Sequence, residues 1–215
     1  MMSDQIESYA NVGDIAGPDL NLKVLLRHNV VPMFLADVSY VSWRRKPGSV
    51  ALVIGDKQKT LPDDFWQMQV VSLNTDLTEG LPYIGEDPQK LLAAEANTNA
   101  GKPGGYYLKP RPLSENGQLT SIVFDAPADT SYTAYFAYYT NIYFADDIAP
   151  VDFNKYIPAQ FQWALVERLK AEIMVNRFGV ADNRYLQANE AYQQWVARAS
   201  QSPELARRNV AIFVR

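Results

Sequence analysis

Along residues 131–144 alternate positions fall into two sets, one mainly apolar and one mixed. One set reads Tyr132, Ala134, Phe136, Tyr138, Thr140, Ile142, Phe144, and the other Ser131, Thr133, Tyr135, Ala137, Tyr139, Asn141, Tyr143. A period of two in aromatic and β-branched residues predicts a strand with one apolar face and one mixed face. Past the acidic Asp146 and Asp147, Pro150 and the polar run 152–155, the period changes. Phe161, Leu165, Leu169 and Ile173 follow helical spacing, which predicts a helix over 158–178, opened by Pro158 and stopped at Gly179. Asp182 then caps a second helix over 183–200, whose Tyr185, Ala188, Tyr192, Trp195 and Ala199 recur at the three-four spacing of a packing seam. So short a link makes the two an antiparallel hairpin.

Upstream the pattern is finer. Residues 1–18 are polar and read as an extended arm, and 19–28 as a short helix capped by Asp19 or, because Leu22, Val24 and Leu26 alternate, as a strand. A meander of short strands is expected over 37–44, 49–54 and 57–61, with Arg45-Lys46-Pro47-Gly48 and Gly55-Asp56 as turns. Residues 61–74 end in a strand-like or single-turn stretch from Trp66 to Leu73. Pro88 opens a helix over 88–96, and 97–105 reads as a mobile loop. Strands follow at 106–109 and 119–124, and Asn116-Gly117 signals a hairpin turn. The last residues, 209–215, are apolar and β-prone, a free edge strand.

The expected fold class is α+β: an antiparallel β-sandwich or barrel of roughly six to eight strands in the middle of the chain, followed by a C-terminal antiparallel helical hairpin. Four segments result: a 1–36 arm with a short helix or strand, the 37–146 sandwich or barrel, the 147–202 hairpin and a 203–215 extended tail.

Composition narrows the function classes. The 215 residues are 47% apolar and 20% charged, which is globular, and they contain no cysteine. A disulfide framework, a thiolate nucleophile and a zinc–thiolate site are therefore excluded. No apolar run approaches the roughly 20 residues that cross a bilayer, so a soluble protein without a membrane segment is expected. Charge is uneven. Residues 1–150 hold 11 Lys/Arg against 18 Asp/Glu and residues 151–215 hold 9 against 6, giving −7 and +3. That asymmetry suits either a solvated surface or head-to-tail attraction between copies.

No constellation points to catalysis. The single histidine, His28, sits in a leucine-rich segment and reads as structural or surface. Asp63-Asp64 and Asp146-Asp147 could bind a cation or act as acid and base, but adjacent residues point apart and read better as cap and turn chemistry. Gly101-Lys102-Pro103-Gly104-Gly105 lacks the spacing of a phosphate loop. Arg207, Arg208 and Arg215 are too few for a nucleic-acid claim. The tyrosine-rich strand could stack sugars or bases, though core and subunit packing are the simpler use. Neither cofactor nor metal is expected.

The order of the segments resembles bacteriophage head-tail connector proteins, the adaptors of tail tubular protein A type. The resemblance rests on Leu61-Pro62-Asp63-Asp64-Phe65, on Ala126-Pro127 leading into the strand from Tyr132 to Tyr139, on Ile157-Pro158 leading to Ala164-Leu165-Val166, and on Ala191-Tyr192-Gln193-Gln194-Trp195. It covers about residues 60–200. Such a protein is a structural component of the virion neck and not an enzyme. The resemblance implies a ring of about twelve copies between the portal protein and a downstream tail or nozzle protein. DNA passes through its channel without sequence-specific binding, and the ring is assembled in the host cytoplasm. In that setting Tyr135, Tyr139, Tyr143, Tyr185, Tyr192 and Trp195 are candidates for packing between copies. Arg207, Arg208, Val210, Ile212, Phe213 and Arg215 would form a portal-docking tail that adds as a strand to its partner. One departure stands out: the family opens with a clear helix on the C-terminal pair, whereas residues 1–36 show only a short, ambiguous one. The alternative is a carbohydrate-binding β-sandwich module of a phage tail, and a hydrolase using the acidic pairs ranks behind both.

Overall fold

A computed structural model of the chain describes residues 1–11, 13–74, 78–110, 120–142 and 150–200. These form two compact units. One combines the described residues of Met1–Arg44 and Asp146–Arg215, and the other takes those of Arg45–Ala145. The division differs from the expected one because the first residues belong with the helical part.

The arm is in fact a helix, α1 (Ser3–Ala10). Ile6 and Ala10, four residues apart and therefore on one helical face, are both buried and pack toward the C-terminal helices. Ser3 fixes the start: its N–H donates to the Val151 carbonyl at 2.9 Å, and its hydroxyl accepts from the Val151 N–H at 3.1 Å. So few apolar positions left little periodicity to read.

The 19–28 segment is helical, but it is capped by Asn21, whose side chain accepts the Val24 N–H, and it runs well beyond His28. Helix α2 (Leu22–Leu25) passes through a π-helical turn (Leu26–Val30) into α3 (Val31–Asp37). The Val31 N–H reaches back to the Leu26 carbonyl. The widened turn precedes Pro32, which has no N–H to give an α-helical ladder. The strand expected at 37–44 is therefore overturned. Val38 and Val41 are buried three residues apart, Tyr40 between them is exposed, and Trp43 stacks between Phe34 and Phe161 at 6.3 and 6.2 Å. A 3-10 turn (Ser42–Arg44) follows. There Arg44, buried to 2% exposure, donates to the carbonyls of Leu35, Val38 and Ser39 that α3 leaves open at its C-terminus.

The helical pair is as the periodicity predicts. A 3-10 turn (Ala159–Phe161) leads into α5 (Gln162–Phe178), which ends at Gly179 with φ 86°, and α6 (Asn183–Ser200) follows. Asp182 accepts the Arg184 N–H at 2.8 Å. Helix α5 touches α1, the π-helical turn, α3 and α6. Being enclosed on several sides, it buries Ala164, Leu165, Val166, Leu169, Ala171 and Ile173, more than a single stripe.

The second unit is a β-sandwich with a helix on one sheet. Its strands are β1 (Arg45–Leu52), β2 (Gln58–Thr60), β3 (Phe65–Leu73), β4 (Tyr106–Pro110), β5 (Thr120–Phe124) and β6 (Tyr132–Thr140). They form two antiparallel three-stranded sheets, ordered β1-β6-β3 and β2-β5-β4, and the barrel is not closed. Leu52, Val71, Phe136, Ile122 and Phe124 meet in one core between them. Along β6, Tyr132, Ala134, Phe136 and Tyr138 are buried and the intervening residues are not, as the alternation predicts.

Two local expectations fail here. Arg45 to Gly48 form no turn. They are the first half of β1, pairing Arg45 to Gly48 with Tyr139 to Phe136. Pro47 is tolerated because β1 is an edge strand, and Gly48 is needed because the Phe136 ring occupies the space a Cβ would fill. The loop at 97–105 is also held: Asn97 Nδ2 donates to the Asp125 carbonyl at 2.9 Å, Gly104 N–H to Asp125 Oδ1 at 2.9 Å, and Gly101 N–H to the Pro127 carbonyl at 2.8 Å.

Helix α4 (Pro88–Ala96) lies against the outer side of the second sheet, with Ala94 beside Ile84, Tyr107 and Val123. Asp87 caps its start, and the Lys57 ammonium binds the Ala94, Glu95 and Asn97 carbonyls at its end. The Asn116-Gly117 turn and the acidic pair Asp146-Asp147 lie outside the described residues.

Candidate functional site

The candidate residues divide between surfaces and core. On the mixed face of β6, Tyr135 stands opposite Ser49 on one side and Ser72 on the other and is 46% exposed. Tyr139, opposite Arg45 and Gln67, is half-buried. These two share one outward sheet face, as the period of two requires. Tyr143 lies outside the described residues.

The other face of β6 keeps its tyrosines inside, and carboxylates at the rim satisfy their hydroxyls. Tyr132 donates to Asp129 at 2.7 Å and Tyr138 to Asp64 at 2.9 Å. Burial, then the bond to Asp64, pushes the Tyr138 phenol well above its ordinary range. Asp64 also holds Lys46 at 2.7 Å, while Asp63 is exposed. The adjacent acids thus do separate things, and Asp64 anchors the end of β6 to β1 rather than facing a cleft.

On α6 the seam is real but its residues have different fates. Tyr185 and Trp195 are half-buried, and the Arg198 guanidinium lies 5.0 Å from the Trp195 ring centre. Tyr192 is used inside its own chain instead of at a contact between copies. It is 1% exposed, donates to Asp37, and packs under Arg168 at 5.4 Å. Burial raises its phenol, and the Asp37 carboxylate raises it further. Seam periodicity cannot tell these uses apart, because a helix faces its own partner with the same spacing with which it would face another chain. All six residues proposed for the docking tail lie outside the described residues.

Three exposed apolar sites escaped the sequence reading. Tyr9 and Trp163 pair at 5.4 Å on the outside of the helical unit. Phe178, Val180 and Leu186 cluster around the α5–α6 turn, where Arg184 lies 3.7 Å over the Phe178 ring and grips Asp182 with two bonds. Val53 and Ile54 stand out in the turn that carries the chain from β1 in one sheet to β2 in the other. Only the last had a signal in sequence, an apolar run that continues past the strand to Gly55.

His28 is exposed on the π-helical turn. Among the described residues there is no cluster of His, Asp and Glu that could hold a metal ion, and no helix long and apolar enough to cross a membrane. No protein-family model and no curated sequence matches the chain.

Proposed function

We propose that the chain is a structural adaptor of the phage neck, a ring subunit between portal and tail with no chemistry of its own. The observation that carries the reading is the composition of the helical unit. Helix α1 packs on α5 beside the α5–α6 hairpin, and the β-sandwich is inserted between the two halves of that unit. The opening helix on the C-terminal pair, which the resemblance requires and the sequence does not display, is thereby supplied within one chain. In this reading the 209–215 tail docks on the portal by adding a strand, with backbone bonds giving affinity and alternate side chains specificity. Co-expression with the portal of the same phage, followed by electron micrographs of the assembly, is the test. A ring of this protein under the portal is expected, together with loss of docking when residues 209–215 are deleted. Docking by the truncated chain removes the tail from the reading, and absence of any ring overturns the reading itself.

A second reading keeps one specific observation, the exposed Tyr135 between two serines on an outward sheet face. Such a face suits stacking against a sugar ring. Glycan binding by a monomer, lost in Tyr135→Ala, would favour it.

A further inference from the structure

Tyr9 and Trp163 are 47% and 41% exposed, and their ring centres lie 5.4 Å apart with 33° between the planes. Two large aromatics held side by side leave a continuous apolar patch in water, and covering it is favourable. Both rings stand on anchored elements. Tyr9 is carried by α1, whose Ile6 and Ala10 are buried, and Trp163 by the first turn of α5, between buried Gln162 and Ala164. A patch fixed in advance loses little freedom when something settles on it, so more of its burial appears as affinity.

The chain supplies a segment in the right place. Helix α6 returns along α5: Arg168 donates to Asn189 at 3.3 Å and lies 5.4 Å from the Tyr192 ring centre. From that level Trp163 is five residues back along α5 and Ser200 eight residues on along α6, about 7.5 and 12 Å in the same direction. The chain therefore leaves α6 within roughly one helical turn of the level of Trp163. Phe178, Val180 and Leu186 are at the opposite end of the pair. Residues 201–215 contain an unbroken apolar run, Val210 to Val214, and Phe213 is the thirteenth residue past Ser200, on a stretch that can span up to about 45 Å. Charge favours the same place. Residues 201–215 hold three Arg against one Glu, +2, and the rest of the helical unit, 1–44 with 146–200, holds 9 Lys/Arg against 12 Asp/Glu, −3.

We propose that in the free chain residues 201–215 fold back on their own helical unit and seat Phe213 against the Tyr9–Trp163 pair. A tether of this length holds the segment at an effective concentration of about millimolar, so a contact of only millimolar strength is about half occupied without any partner. The segment of a second copy competes only at that concentration. The contact belongs to the free chain and does not rest on the adaptor reading. Where that reading holds, docking on the portal displaces the segment from this seat.

The absence of cysteine from the chain makes the test direct. A single nitroxide is attached at Arg215→Cys, and the broadening it causes is read by NMR on the full chain at micromolar concentration. At half occupancy the label should remove at least about half the intensity of the Trp163 indole N–H and the Tyr9 amide, relative to the reduced label, and little at Phe178, Val180 and Leu186. Trp163→Ala, at an exposed position, should restore the Tyr9 peak, and Tyr9→Ser should restore the Trp163 indole peak. Absence of broadening at the pair, broadening strongest at the α5–α6 turn, or broadening that both variants leave unchanged overturns the inference. Mixing isotope-labelled unmodified chain with spin-labelled chain of natural isotope content separates the copies. Equal broadening in that mixture places the segment on a second copy and also overturns the inference. No portal enters the measurement. A seat found here with no ring under the portal keeps the contact and overturns the adaptor reading, and a ring without the seat does the reverse.

Discussion

The tyrosines show how single residues set the conditions under which this fold persists. Tyr138 and Tyr192 each give a hydroxyl to a carboxylate, and each phenol is raised above its ordinary value, first by burial and then by that bond. A raised folded-state value favours the neutral form. The stability it contributes is fully present below the unfolded phenol's value of about 10 and is lost as pH rises beyond it. The carboxylates of Asp19, Asp56, Asp87 and Asp182 are lowered, each mainly by a hydrogen bond to the charged form. Their contribution is present above the unfolded value of about 3.9 and is lost as pH falls below it. Thermal unfolding followed across pH should therefore show a plateau with an acid and an alkaline limb. Tyr192→Phe should cost about 1.5–3 kcal/mol at neutral pH in urea unfolding, because the Asp37 carboxylate loses a donor, and it should flatten the alkaline limb. At Gly48 the constraint is steric. Gly48→Val drives a side chain into Phe136 and should cost about 1–3 kcal/mol, measured in the same way.

Elements here are held by specific termini as much as by propensity. Helix α4 is short and presents mostly exposed residues, so its two ends matter. Asp87 serves the first turn, and the Lys57 ammonium, from another part of the sandwich, serves the Ala94, Glu95 and Asn97 carbonyls at the other end. Removing that cation in Lys57→Met should destabilise the end of α4 by about 1 kcal/mol. Faster amide exchange confined to residues 94–105 would register the loss, and unchanged exchange would contradict it. Arg44 plays the same part for α3, from a segment whose sequence reads as a strand. The edges of the first sheet are guarded too. Pro47 interrupts β1, and two register shifts interrupt β3 opposite β6. A strand from another chain meets poor templates there.

At the scale of the whole molecule, the charge asymmetry along the chain does not survive folding. Because the first residues join the helical part, Met1–Arg44 with Asp146–Arg215 carry 12 Lys/Arg against 13 Asp/Glu, and Arg45–Ala145 carry 8 against 11. The units differ by only two charges, −1 and −3, so head-to-tail attraction by net charge has little to work with. The sandwich is an insertion. Arg45 pairs with Tyr139, so the chain comes into the unit and leaves it at neighbouring points, the arrangement expected of a segment with its own core. The isolated 45–145 fragment should fold, giving dispersed amide resonances and a cooperative melt. A fragment that is collapsed or insoluble would show that the core in Leu52, Phe136 and Ile122 is insufficient alone.

Local sequence by itself determined the aromatic strand β6 and which of its faces turns inward and the helical pair, both from periodicity, the Asp182 cap and Gly179 stop from residue type, helix α4 from Pro88 and helix-forming residues, and with them the α+β class. In those segments local spacing and burial state the same thing. Tertiary structure decided the rest, in each case because a distant partner overrides local preference. Arg44 closes a helix where alternation suggested a strand, Phe136 turns the Gly48 segment from turn to strand, and α5 gives the polar first residues a face to cover. The aromatic seam on α6 belongs to both accounts. Its spacing was legible, but only the packing of Asp37 and Arg168 around Tyr192 shows that this tyrosine is used within its own chain. Exposed side chains such as Tyr9 and Trp163 are recognisable only once the fold shows what fails to cover them.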